Sequence, residues 1–148
     1  MTIRMSPGLC HAAITDYGVG RVMQGGYIAI YSGAQPSSAS TSAPGTLLAR
    51  ITQDGAPMPI QFGDEGGLNL QPGGIGEIVN AGNWVMTCVA SGTPGWWRFY
   101  AAEIDLGDDS QIAYRIDGTV GESIHEIPAT LTSGETIPVA SFSLRFLP

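Results

Sequence analysis

The sequence predicts an all-β chain: an antiparallel β-sandwich, of jelly-roll or another Greek-key type, with a short helical N-terminal arm. Three observations predict it. About eight to ten short extended runs recur at a spacing of roughly 8 to 12 residues, the rhythm of a sandwich or barrel. Turn-forming residues separate them, with 21 glycines and 10 prolines in 148 residues. The C-terminal run Thr136–Leu147 alternates, with Ala140, Phe142, Leu144 and Phe146 on one face and Val139, Ser141, Ser143 and Arg145 on the other. That is the pattern of a half-buried antiparallel strand. Neither a βαβ alternation nor an internal repeat interrupts this reading.

Residues 1–25 form the predicted arm and residues 26–148 the sandwich. Ser6 is a good N-cap and Pro7 suits the first helical position. Leu9, Ala12 and Ala13 follow at helical spacing until Asp16 and Gly18 interrupt. A second short turn starts at Asp16, carries Val19, Val22 and Met23, and ends at Gly25-Gly26. Helices this short are marginal alone. The arm therefore docks on something, either its own sandwich or an adjacent subunit.

The first clear strand is Gly26–Gly33, bounded by glycines. Ala34–Gly45 (AQPSSASTSAPG) reads as an exposed low-complexity loop. Thr46–Thr52 and Ile60–Gly63 are further strands, and Leu68-Asn69-Leu70 a brief edge strand in a glycine-dense stretch. Glu77–Gly82 leads into the central stretch, Trp84–Gly118, which holds all three tryptophans. There Trp84–Val89 reads as a strand buried on both faces, and Ser91–Gly95 as a turn. In Trp96–Tyr100, Trp96 and Phe99 are out of phase, so both faces carry an aromatic. One face packs inward; the other meets a loop, a second sheet or another subunit. Gln111–Ile116 alternates as a strand, Asp117-Gly118 reads as a tight turn, and residues 120–129 hold one more short strand.

Composition narrows the function. Only 13% of residues are charged, against roughly 25% in a typical soluble domain. Such a charge-poor surface fits a protein packed against neighbours. The net charge is -7, and all six basic residues are arginine. Without a basic patch to neutralise phosphates, nucleic-acid binding is not expected. The N-terminus lacks the apolar core of a signal peptide, and no run of about 20 apolar residues marks a membrane span. The expectation is a soluble protein made in a cytoplasm, with no membrane partner.

Chemistry is sparse. Cys10 and Cys88 lie far apart in sequence, and Cys88 reads as a small buried hydrophobe rather than half of a disulfide. His11 and His125, with the cysteines, match no zinc-ligand spacing. Glu103, Asp105, Asp108 and Asp109 form an acidic cluster without EF-hand spacing, so it reads as a solvated loop. Trp96 and Trp97 offer the best candidate for a sugar-stacking platform, although strand tryptophans more often serve core or interface. No catalytic residue, metal or cofactor is expected. The candidate partner-binding residues are Leu9, Val19, Val22 and Met23 on the arm, and Trp96, Trp97 and Arg98 on the aromatic strand.

Five segments in order carry a resemblance: Tyr31–Pro36 (YSGAQP), Gly45–Ala49 (GTLLA), Gly92–Tyr100 (GTPGWWRFY), Arg115–Gly121 (RIDGTVG) and Ser141–Pro148 (SFSLRFLP). Together they resemble a family of small all-β virion structural proteins of tailed bacteriophages, over most of the chain. The resemblance implies a place in the virion. The first expectation is a capsid decoration (cement) protein, a homotrimer that binds the major capsid protein and other virion subunits. The alternative is a tail or baseplate component, possibly with a carbohydrate-contacting surface. A third reading, of another class, is a free lectin-like or hydrolytic domain.

Overall fold

The computed structural model describes residues 3–15, 18–102 and 105–146. The chain is mostly β, with two short helices near the N-terminus. In chain order the elements are β1 (Arg4–Met5), α1 (Pro7–Thr15), α2 (Val19–Met23), β2 (Tyr27–Ser32), β3 (Leu47–Gln53), β4 (Asn69–Pro72), β5 (Glu77–Ala81), β6 (Trp84–Cys88), β7 (Pro94–Tyr100), β8 (Arg115–Thr119), β9 (Thr136–Pro138) and β10 (Ser143–Arg145). Seven strands form a sheet in the order β1-β8-β7-β2-β3-β6-β9, and three form a second in the order β10-β5-β4. Every pairing is antiparallel.

The register of the large sheet explains the fold. Cross-strand partners share a face because side chains alternate along a strand. One row runs Met5, Ile116, Phe99, Ile28, Ile51, Met86, Ile137 through all seven strands. Every member is apolar. Beside it runs Gly118, Trp97, Ile30, Ala49, Cys88. These rows face a core shared with Leu144 of the small sheet and with Phe142. Phe142 lies where the chain passes from one sheet to the other. Its ring centroid is 5.0 Å from Trp84, 5.9 Å from Trp97 and 6.0 Å from Phe99. Burying each such ring contributes about 1.5–3 kcal/mol, which is what holds the sheets together.

The N-terminal helices pack on this core. Ser6 caps α1 as its sequence predicts: its Oγ accepts the Leu9 amide at 3.2 Å. The same hydroxyl also donates to the Ala113 carbonyl and accepts the Arg115 amide. Leu9 and Met23 are fully buried, and Val19 and Val22 pack against the core. Of the two docking options for residues 1–25, the structure takes the chain's own sheets, and Arg4–Met5 joins the large one. Asp16 lies outside the described residues, as do Glu103 and the terminal Leu147-Pro148.

Several sequence expectations are corrected. Asp117-Gly118 is not a turn; β8 runs straight through it, opposite Arg98 and Trp97. Gly118 is needed there because a Cβ would stand 2.3 Å from Trp97 Cζ2. Ile60–Gly63 forms no strand, and residues 120–129 contribute only an isolated bridge, Ile124 to Phe142. The run Thr136–Leu147 is split: β9 extends the large sheet, whereas β10 belongs to the small one. The alternation therefore slips at the crossing, where Val139 is buried and Ala140 exposed, and resumes with Phe142 and Leu144. β6 is buried on one face only, through Trp84, Met86 and Cys88.

Candidate functional site

The second face of the large sheet is polar and aromatic. Its rows are Tyr27–Tyr100–Arg115, then Arg4–Asp117–Arg98–Ala29–Arg50–Thr87–Thr136, then Tyr31–Trp96–Thr119. The strand order divides this face into two halves.

Over β8, β7 and β2 the face is closed. Arg98 and Asp117 are fully buried and joined bidentately, Nε to Oδ1 at 2.7 Å and Nη2 to Oδ2 at 2.9 Å. Arg98 Nη1 donates to the Thr41 carbonyl at 2.7 Å. Its guanidinium lies 5.2 Å from the Trp96 ring centroid and 5.9 Å from that of Tyr100. Planar arginine suits such stacking; lysine would not replace it. Arg115 is paired likewise with Asp105, at 2.7 and 2.6 Å, and donates to the carbonyls of Thr41 and Asp108. Tyr27 stacks on Tyr100 at 5.0 Å and Tyr31 on Trp96 at 4.7 Å, while the Tyr31 and Tyr100 hydroxyls share a hydrogen bond of 2.8 Å. The buried Trp96 Nε1 donates to no acceptor among the described residues, so stacking alone fixes that ring.

The Ser-rich segment Ala34–Gly45 is therefore not an exposed excursion. Ala39 and Ser40 are buried, and two guanidinium groups hold the segment by its carbonyls. The acidic cluster is likewise partly structural, since Asp105 is the partner of Arg115. Burial alone would raise the Asp105 pKa, but the hydrogen bonds from Arg115 and the Gly107 amide hold it below the ordinary value. Burial pushes Tyr27 up to about 12, with Tyr100 adding to the shift, and raises Tyr31 further for the same reasons. In the Arg98–Asp117 pair, burial opposes charge on both groups, yet the hydrogen bonds that Arg98 donates to the Asp117 carboxylate raise the Arg98 pKa and keep it a cation.

Over β3, β6 and β9 the face is less covered: Leu48 and Thr52 are buried, Arg50 and Thr87 are half-buried and Thr136 is exposed. Arg50 is half-buried there in a groove of about 200 Å³ with Thr52, Thr87, Val89 and the Gly55–Met58 turn. Thr52 Oγ1 donates to the Ala56 carbonyl, which fixes that turn. Among the described residues the Arg50 side chain makes no hydrogen bond and no ion pair.

The sequence-nominated residues fall mainly inside the molecule. Leu9, Met23, Trp96, Trp97 and Arg98 are all 0% exposed, and Val19 and Val22 are partly buried. Trp96 and Trp97 thus cannot form a sugar platform: Trp97 is core, its Nε1 donating to Thr119 and Glu122, and Trp96 lies under Tyr31. Among the described residues the most exposed large apolar side chains are Phe62, Ile75, Leu106 and Ile112, at 82 to 102% exposure, followed by Val89. Their signal was only partly present in the sequence. Ile75 and Leu106 stand among Gly and Asp, whereas Phe62 and Ile112 fall in runs that the sequence pattern assigns to strands and the structure leaves as loops. Leu106 and Ile112 line one groove of about 290 Å³ beside Asp108 and Asp109. Phe62 rims another of about 510 Å³ with Gln24, Gln53, Asn69, Asp54 and Glu65.

Cys10 and Cys88 are free thiols, and burial raises the pKa of Cys88. His11 and His125 are both exposed. Among the described residues no three His, Cys, Asp or Glu side chains converge on a metal position. No described helix is long and apolar enough to cross a membrane. Comparison with protein-family models, with curated proteins and with solved structures finds no match to this chain.

Proposed function

We propose that this chain is a structural subunit of a bacteriophage virion that works by surface complementarity rather than by transforming a substrate. In this reading its two sheets form a β-sandwich, and the protein is a capsid decoration protein, a homotrimer that cements the head by binding the major capsid protein. The observation that carries the reading is the set of apolar side chains at loop tips, Phe62, Ile75, Leu106 and Ile112. Single exposed apolar residues are ordinary, but two that line one groove on a charge-poor surface suit a contact with a neighbour. The ordered segments that resemble tailed-phage virion proteins support the same reading. Quantitative peptide mass spectrometry and electron cryo-microscopy of purified particles test it. Copies in proportion to the capsid lattice, seen on the outside of the head, are expected; absence from the particle overturns it.

A second reading has its own observation. The groove beside Phe62 combines an exposed aromatic with amides and carboxylates, the composition that stacks on and hydrogen-bonds a sugar. It favours a tail or baseplate component that contacts carbohydrate. Copies in proportion to the tail, with glycan binding lost in Phe62→Ala, would establish it.

A further inference from the structure

Six arginines are the only basic side chains besides two histidines, so what each one meets is informative. Arg98, Arg115 and Arg145 form ion pairs with Asp117, Asp105 and Glu77. Arg4 donates to the Ser37 carbonyl, and Arg21 also has a partner. Among the described residues Arg50 is the exception. It sits in the middle of a sheet, half-buried, in a groove that offers hydroxyls, apolar groups and turn backbone but no carboxylate. A guanidinium partly removed from water gains most from a charged acceptor, so such groups are ordinarily paired.

We infer that the open half of this sheet face is a self-association site, at which Arg50 receives a carboxylate from a second copy of this chain. This rests on the reading that the protein works among its own kind. Charge complementarity selects the occupant. The chain carries 13 carboxylate residues against six arginines. Asp108, Glu126 and Glu135 are exposed and, among the described residues, in no ion pair, so each copy offers the group that the other lacks. The groove, about 200 Å³, is below the roughly 300 Å³ of small-molecule pockets and fits a side-chain tip. The row Arg50–Thr87–Thr136 then runs out to β9, the sheet's edge strand, so the contact can continue along that edge.

Sedimentation velocity over a concentration series tests this on the whole chain. Wild type should associate, less so at high salt. Arg50→Gln and Arg50→Glu should weaken association about tenfold or more, with circular dichroism unchanged. Arg145→Glu, which alters an exposed pair, should associate like wild type. A monomeric wild type overturns the inference, as does association that survives both Arg50 variants or falls equally in Arg145→Glu. A monomeric chain that still enters particles sinks this inference alone. Association in solution without presence in particles sinks the virion reading alone.

Discussion

Of the four arginines on one sheet face, Arg98, Arg115 and Arg50 end in two different situations. Arg98 and Arg115 lie under loops that bring Asp105 and the Ser-rich carbonyls to them, and Asp117 comes from the neighbouring strand. Arg50, one strand beyond Ala29 on the same row, has only the Gly55–Met58 turn beside it, which brings no carboxylate into its groove. The strands are alike; the difference lies in what the intervening loops cover. A covered cation becomes part of the fold, and an uncovered one becomes available to a partner. The closed half should therefore fail by unfolding and the open half by losing contacts.

The largest expected effect is on the closed half. Arg98→Ala leaves Asp117 buried and unpaired, which costs about 3–5 kcal/mol, measurable by urea denaturation. Comparable stability in that variant would mean that the pair is solvated. Next comes a change that separates the two faces of the same strand. Gly118→Ala places a methyl against Trp97 on the core side and should cost about 1–3 kcal/mol through overpacking. A neutral result would show that the ring can move aside. Tyr31→Phe removes only the shared phenol hydrogen bond and should cost about 1 kcal/mol. The phenols also predict alkaline behaviour. Burial, aided by Tyr100, raises Tyr27 to about 12 from 10.0, so its contribution is fully present below the lower value and is lost as pH rises toward the upper one. Phenolate absorbance should show Tyr27 and Tyr31 silent until that window or until unfolding; early titration would place them in solvent.

Much of the fold was legible. Alternation and turn residues located β2, β3, β6 and β7, and Ser6-Pro7 marked the start of α1, because those signals are local. The failures are tertiary. Asp117-Gly118 has turn chemistry, yet Trp97 needs a glycine beneath it and Arg98 needs an acid beside it, and neither need appears within a short window. The Ser-rich loop looked solvated because its hold is through backbone carbonyls, which composition does not reveal. The pattern leaves Leu9, Met23, Trp96, Trp97 and Arg98 free for partners, whereas the core takes Leu9, Met23 and Trp97 and the closed half takes Trp96 and Arg98. Conversely, Phe62 and Ile112 sit in runs with strand-like patterning, which hides that the structure leaves them exposed in loops.

The smallest expected change in stability is the most telling. The unfolding free energy and the sedimentation of Arg50→Gln should be measured side by side with those of Arg98→Gln. The account predicts a stability change within about 0.5 kcal/mol for Arg50→Gln together with lost association, and a loss of several kcal/mol for Arg98→Gln. Equal destabilisation by the two variants, with association untouched, would contradict it.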